Sequence, residues 1–158
     1  SETTKLSDAV AALVMDLRTG EVYCAEQGGG SRHGRRCIRP SRPKPMDEAF
    51  ISLDISKGAP LDPVRGIISE ARHLRQLGCS ALSLCLVASG VVDGHVDLRG
   101  MLRATDAAAG LLILREAGGA YSMNGVIGGD LELTRQSRLN LVAASGREML
   151  EIILRRVT

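Results

Sequence analysis

The sequence predicts an α/β fold, a layered sheet covered by helices, in a single domain over residues 1–158. Three observations carry that expectation. Turn and period-two signals place a hairpin first and then alternate strands with helices, the order of an α/β layered domain. Aromatic residues are nearly absent, Phe50, Tyr23 and Tyr121 being the whole set. The core is therefore left to Leu, Ile, Val and Ala, which suits helices stacked on a sheet. Residues 79–89 are apolar on nearly every face, the pattern of a helix buried all round.

Taken in order, residues 9–17 (Ala-Val-Ala-Ala-Leu-Val-Met-Asp-Leu) read as a buried strand, Thr19-Gly20 as a turn, and residues 21–26 as an alternating second strand, which makes the pair a hairpin. Gly28-Gly29-Gly30 breaks the chain. A basic stretch follows, Arg32, Arg35, Arg36, Arg39, Arg42 and Lys44, with no acid between Gln27 and Met46. Pro40, Pro43 and Pro45 keep its second half out of any helix. Residues 50–55 are a strand, and residues 63–74 a helix with Pro63 near its first turn. Gly78 introduces the apolar helix of residues 79–89. Residues 91–98 alternate as a strand. Thr105 caps a helix that runs to Ala117 and stops at Gly118-Gly119. Residues 120–123 are short and extended, Asn124-Gly125 is a turn, residues 140–144 are a strand and residues 146–157 a terminal helix.

The net charge of +2 is too small to imply a polyanion partner by itself. No apolar run reaches the roughly 18 residues of a membrane span, and no signal-peptide pattern is present. Cys24, Cys37, Cys79 and Cys85 show neither a Cys-x-x-Cys pair nor a His at zinc-ligand spacing. The expectation is a reducing, cytoplasmic compartment without disulfides. The chain begins with Ser1 and moves almost at once into a strand pattern, as a processed chain or a fragment does.

Two helix starts carry the chemistry. Gly78-Cys79-Ser80 opens a buried helix whose first free N–H groups and positive dipole end favour an anion. Thr105-Asp106 opens another, where the dipole keeps a carboxylate ionised and able to offer an oxygen to a hard cation such as Mg²⁺. An anion site beside a carboxylate-bound metal is how phosphate esters are held and cleaved. On periodicity alone, ordinary capping is the favoured reading of both starts.

Asp106-Ala107-Ala108-Ala109-Gly110 followed by Glu116-Ala117-Gly118-Gly119 resembles the second signature of the inositol monophosphatase family. Gly78-Cys79-Ser80-Ala81-Leu82, with Val87-Ala88-Ser89-Gly90 and Asp93 after it, is similar to that family's Gly-Ser-Ala-Ala-Leu helix and its following Ala-x-Gly-x-x-Asp. Residues 19–25 with Gly28 and Gly34 look like its hairpin, and residues 140–145 like the strand before its last helix. The likeness runs through nearly the whole chain in the right order. Asp97 and Arg99, an aspartate-x-arginine, lean toward the archaeal-type members that act on inositol monophosphate and fructose 1,6-bisphosphate.

The resemblance implies the C-terminal part of a sugar phosphatase fold. It implies Mg²⁺ bound by Asp106, which also lies near substrate hydroxyls, and a substrate pocket holding Cys79 and Ser80. The family's Glu-Glu pair and Asp-Pro-x-Asp-Gly-Thr loop, which precede its hairpin, do not occur here. Asp62-Pro63-Val64-Arg65 begins like that loop, but Arg65 stands where the second carboxylate belongs. No residue of the chain is therefore expected to be catalytic by itself, because one aspartate cannot assemble a two-metal site. Arg99 stands where inositol-specific members carry a glutamate. An arginine suits a second phosphate or an acidic sugar, a surface arginine being the alternative.

The partners implied are a sugar phosphate and either a second copy of the chain or an N-terminal half. The competing expectation is a non-catalytic dimerisation or binding module that keeps the fold. Nucleic acid is a weaker reading of the basic stretch, because no aromatic residue interleaves with it for base stacking. His33, His73 and His95 are expected to be structural or exposed, and Asp93 to satisfy backbone N–H groups.

Overall fold

The computed structural model describes residues 3–56 and 58–158. The hairpin forms, β1 (Ala11–Met15) pairing antiparallel with β2 (Val22–Glu26), Val14 opposite Tyr23. The strand expected to be buried over residues 9–17 is, however, shorter and covered on one face only, with Val10, Leu13, Met15 and Leu17 exposed. Val14, Tyr23 and Ala25 are buried while their neighbours in sequence are not, which is the period-two alternation of a half-covered sheet. The ladder continues past the triple glycine into β3 (Gly30–His33) and β4 (Arg36–Cys37), giving a four-stranded sheet in the order β1-β2-β3-β4. The first half of the basic run is thus strand, where the sequence showed only a break. The arginines hide the signal: Arg32 and Arg36 are exposed, while Ser31 turns inward and donates to the Ile113 carbonyl at 2.6 Å. His33 stacks on Tyr23 with ring centroids 4.1 Å apart. Residues 38–45, with their three prolines, form no strand or helix, in line with the expectation.

The second sheet has six strands. β5 (Phe50–Leu53) is followed by a 3-10 turn (Asp62–Val64), the short helix α1 (Arg65–Glu70) and β6 (His73–Arg75). The helix expected over residues 63–74 therefore ends early. Ala71 leaves helical dihedrals, and residues 73–75 pair in parallel with Phe50, Ile51 and Ser52; the open edge of β5 offers hydrogen bonds that local propensity cannot foresee.

α2 (Ser80–Ala88) leads to β7 (Gly94–Arg103), α3 (Ala104–Ala117), β8 (Ala120–Met123), β9 (Val126–Ile127), β10 (Arg138–Ala144) and α4 (Arg147–Leu154). The order across the sheet is β6-β5-β7-β10-β8-β9, parallel only where β5 meets its two neighbours. β7 starts and ends later than residues 91–98, because Arg103 and Leu102 continue the ladder with Arg138 and Leu139 beyond an irregularity in β10. The N-cap of α3 is Arg103 rather than Thr105, and no side chain caps that end. Its other end closes as expected on Gly118, whose φ of 98° is the left-handed conformation that favours glycine.

The expected α/β layering is spread over two sheets. α1 and α4 cover one face of the six-stranded sheet, with Ile51, Val96, Met149, Leu150 and Ile153 in the seam. α2 and α3 lie between its other face and the four-stranded sheet. A helix held between two sheets buries opposite sides at once, and Leu111, Leu112, Ile113 and Leu114 are all fully buried. In α2, Ser80, Ser83, Leu84, Cys85, Val87 and Ala88 are buried, and Ala81, Leu82 and Leu86 half-buried. α2 and α3 touch at Gly110, where a Cβ would fall 2.8 Å from that of Leu84.

Candidate functional site

The site grows out of the one parallel pairing that joins β5 to β7. Ser52 lies opposite His95 and Leu53 opposite Val96. Because side chains alternate along a strand, Leu53 and Val96 face the α4 side, while Ser52, Asp54, His95, Asp97 and Arg99 fall on the face toward α2. That face is polar although buried: Asp54 is 3% exposed, and Asp97 and His95 0%. Ser52 Oγ lies 3.0 Å from Ser83 Oγ on α2 and 3.1 Å from His95 Nδ1. Ser80 Oγ, at the first residue of α2, donates to Asp54 Oδ2 at 3.2 Å. Arg99 donates from Nε and Nη2 to the two Asp97 oxygens at 2.8 and 2.7 Å. Burial holds the His95 imidazole below its usual pKa, Asp54 and Asp97 opposing that shift, and the hydrogen bond to Asp97 holds the Arg99 guanidinium above its own. Asp54 Oδ1 and His95 Nε2 are buried without a hydrogen-bond partner.

At the open end of this stripe the N-termini of α2 and α3 border a pocket of about 360 Å³, lined by Asp54, Gly78, Cys79, Ser80, Arg99, Arg103, Thr105 and Asp106 among others. All four residues singled out from the sequence, Cys79, Ser80, Arg99 and Asp106, stand on its wall. Cys79 is the exposed N-cap of α2, Ser80 is buried, and Arg99 is only 24% exposed. Asp106 sits in the first turn of α3, its side chain 40% exposed and held by Arg103 Nε and Nη2 at 2.8 and 3.2 Å. Glu116 and Gly28 also meet, Gly28 N–H donating to Glu116 Oε2 at 2.9 Å, so the end of α3 anchors the triple-glycine turn.

Among the described residues no group of three His, Cys, Asp or Glu side chains could hold a metal ion. Asp97 spends both oxygens on Arg99, and of the two carboxylates that line the pocket Asp54 is buried while Asp106 is the accessible one. The donor set fits one corner of a metal site, not a complete shell.

Asp54 and Asp97 were weighed in the sequence as acids that could complete a metal site only if the chain proved active; Asp54 lines the pocket, and Asp97 lies fully buried behind Arg99. Their signal was there: Ser52-x-Asp54 and His95-x-Asp97-x-Arg99 repeat polar residues at period two inside apolar strands, which marks a buried polar face. The other residues weighed in the sequence lie elsewhere. Asp93 is buried and accepts from the Phe50 N–H at 2.8 Å and from Ser41 Oγ, with Lys44 Nζ 3.1 Å away. Arg32, Arg35, Arg36, Arg39 and Arg42 are exposed, and none lines this pocket. The four cysteines are free thiols. Among the described residues no helix is long and apolar enough to cross a membrane.

Solved structures described as inositol monophosphatases share this arrangement of layers. A Pyrococcus horikoshii protein described by its similarities to inositol-1 monophosphatase superposes with a TM-score of 0.80 at 32% identity, over 94% of this chain and 57% of its own. The chain belongs to the inositol monophosphatase family, whose model matches residues 6–157. It is 34% identical to the fructose-1,6-bisphosphatase/inositol-1-monophosphatase of Methanothermobacter thermautotrophicus over 94% of this chain and 53% of that protein. It is 36% identical to the inositol-1-monophosphatase of Rhizobium meliloti over 71% of this chain and 44% of that protein. The chain spans about half the length of the curated relatives it matches.

Proposed function

We propose that these 158 residues are the C-terminal half of a Mg²⁺-dependent sugar phosphomonoesterase acting on inositol monophosphate or fructose 1,6-bisphosphate. The carrying observation is that Cys79, Ser80, Arg99 and Asp106, from three stretches of sequence, converge on one pocket. In this reading Asp106 is a metal ligand, the start of α2 with Cys79 and Ser80 holds substrate oxygens, and Arg99 contacts the substrate. Magnesium, when bound, supplies the Lewis acid and the activated water. The chain's own part is to bind and orient the ester. The remaining metal ligands come from a further segment or a second copy, and the free thiols suit a reducing, cytoplasmic setting.

Relatives named for both phosphatase activities support the substrate class. The incomplete donor set supports the expectation that these residues alone, assayed with Mg²⁺ and inositol 1-phosphate, release no phosphate above a blank. The deciding experiment is Asp106→Asn in the native polypeptide. The exposed pair with Arg103 contributes little to stability, so the fold should persist while Mg²⁺ affinity and turnover fall together. Unchanged activity and Mg²⁺ dependence would reduce Asp106 to a surface residue and favour a non-catalytic binding module.

A further inference from the structure

Arg99 stands on the pocket wall, but it is not free to turn toward a ligand. Its side-on edge, Nε and Nη2, is taken by the two oxygens of Asp97, which is fully buried. A guanidinium carries five N–H donors in one rigid plane. Side-on pairing therefore fixes that plane and leaves the end-on edge, Nη1 with the second Nη2 hydrogen, as the part able to meet a ligand. Nη1 has no partner among the described residues, and Asp54 Oδ2 lies 3.8 Å from Nη2. The local charge points to the kind of ligand. Asp54 and Asp97 face one arginine, Arg103 is matched by Asp106, and His95, buried beside the carboxylates, is held toward its neutral form. Each guanidinium of this wall is thus already matched by a carboxylate, so neither is a free cation for a second phosphate dianion, and the unused Arg99 edge suits neutral oxygen atoms.

We propose that Asp97 is a positioning residue that presents the Nη1–Nη2 edge of Arg99 to hydroxyl oxygens of the substrate's carbon skeleton, and not to a second phosphate. The inference rests on the pocket being the substrate site. It amends the expectation, drawn from an arginine standing where inositol-specific members carry a glutamate, that Arg99 suits a second phosphate.

The test is a double-mutant cycle in the native polypeptide, with inositol 1-phosphate and fructose 1,6-bisphosphate at saturating Mg²⁺. Arg99→Lys keeps a cation between the carboxylates and removes the fork. Losing a charge-assisted hydrogen bond should raise KM for inositol 1-phosphate about tenfold, with the change in KM rather than kcat. Asp97→Asn should do the same, and should add nothing in the Arg99→Lys background, because Asp97 acts through Arg99. The rise in KM for the bisphosphate should be no larger than for the monophosphate. An Asp97→Asn effect of equal size in both backgrounds would make Asp97 merely structural and overturn the proposal. A KM rise much larger for the bisphosphate would return Arg99 to a second phosphate. If Arg99→Lys is silent with both substrates, the proposal falls along with Arg99's place in the substrate site, while Asp106→Asn still decides the metal role separately. Should Asp97→Asn not fold, NMR of the unsubstituted protein decides. The Arg99 Nε–H should be protected from exchange and the Nη signals should shift on adding inositol 1-phosphate; an unprotected Nε–H or unmoved Nη signals would overturn the clamp.

Discussion

Adding one methyl group at Gly110 should force α2 and α3 apart. An alanine Cβ there would lie 2.8 Å from Leu84 Cβ, 2.9 Å from Leu84 Cδ1 and 3.1 Å from the Ala81 carbonyl oxygen. The Leu84 methyl can rotate away, but the Leu84 Cβ and the Ala81 carbonyl are fixed to the backbone of α2, so relief requires the helices to move. Overpacking of this kind costs about 1–3 kcal/mol, and these contacts belong to the upper part of that range. Alanine regains roughly 1 kcal/mol over glycine in helix propensity. The net expectation for Gly110→Ala is a loss of about 1–2 kcal/mol. Urea unfolding followed by far-UV circular dichroism is the suitable assay, since the chain has no tryptophan. Ala109→Gly, one position along the helix, gives the propensity scale. The sign decides the question: a Gly110→Ala variant more stable than the parent, as at an open helix position, would mean that the helices do not touch there and would refute the packed middle layer.

Leu84 has no exposed surface, so Leu84→Ala should cost about 2–5 kcal/mol in the same assay; a loss under about 0.5 kcal/mol would be that of a surface change. Burial, with a smaller contribution from Cys79, pushes the Cys85 thiol up to about 12. Iodoacetamide at pH 8 should therefore label Cys37 and Cys79 in the folded chain and reach Cys85 only after unfolding; equal labelling rates by mass spectrometry would contradict its burial. His95 binds a proton less readily folded than unfolded. At pH values above its ordinary pKa of 6.5 it is neutral in both states and costs nothing. As pH falls through that value the unfolded chain takes up the proton first, so stability should drop by up to about 1.4 kcal/mol per pH unit. His95→Asn should remove that part of the slope, and an unchanged profile would show that His95 titrates normally in the fold.

Much of the architecture was legible in the sequence. The hairpin, the apolar helix after Gly78, the stop at Gly118 and the last strand and helix all follow from period, turn residues and caps, which act over a few neighbours. The misreadings have a common cause. Residues 30–33, 36–37, 73–75 and 126–127 are strands because other strands offer them hydrogen bonds. Arg32 and Arg36 on an exposed face give no apolar alternation to read, and residues 73–75 sit where helix propensity alone would carry the preceding helix on.

The same division holds at the site. The sequence picked out Cys79, Ser80, Arg99 and Asp106 through likeness to a family's motifs; a helix start with free N–H groups and a first-turn carboxylate are local chemistry, but by themselves they read as ordinary capping. What only the tertiary structure decided is which of them are free to act. Parallel pairing of β5 with β7 sets Asp54 and Asp97 beneath the pocket and takes one edge of Arg99 out of play. Ion pairing across one turn ties Asp106 to Arg103. A side chain's available donors and net charge depend on its neighbours in space, and those come from strand register and helix packing between residues tens of positions apart.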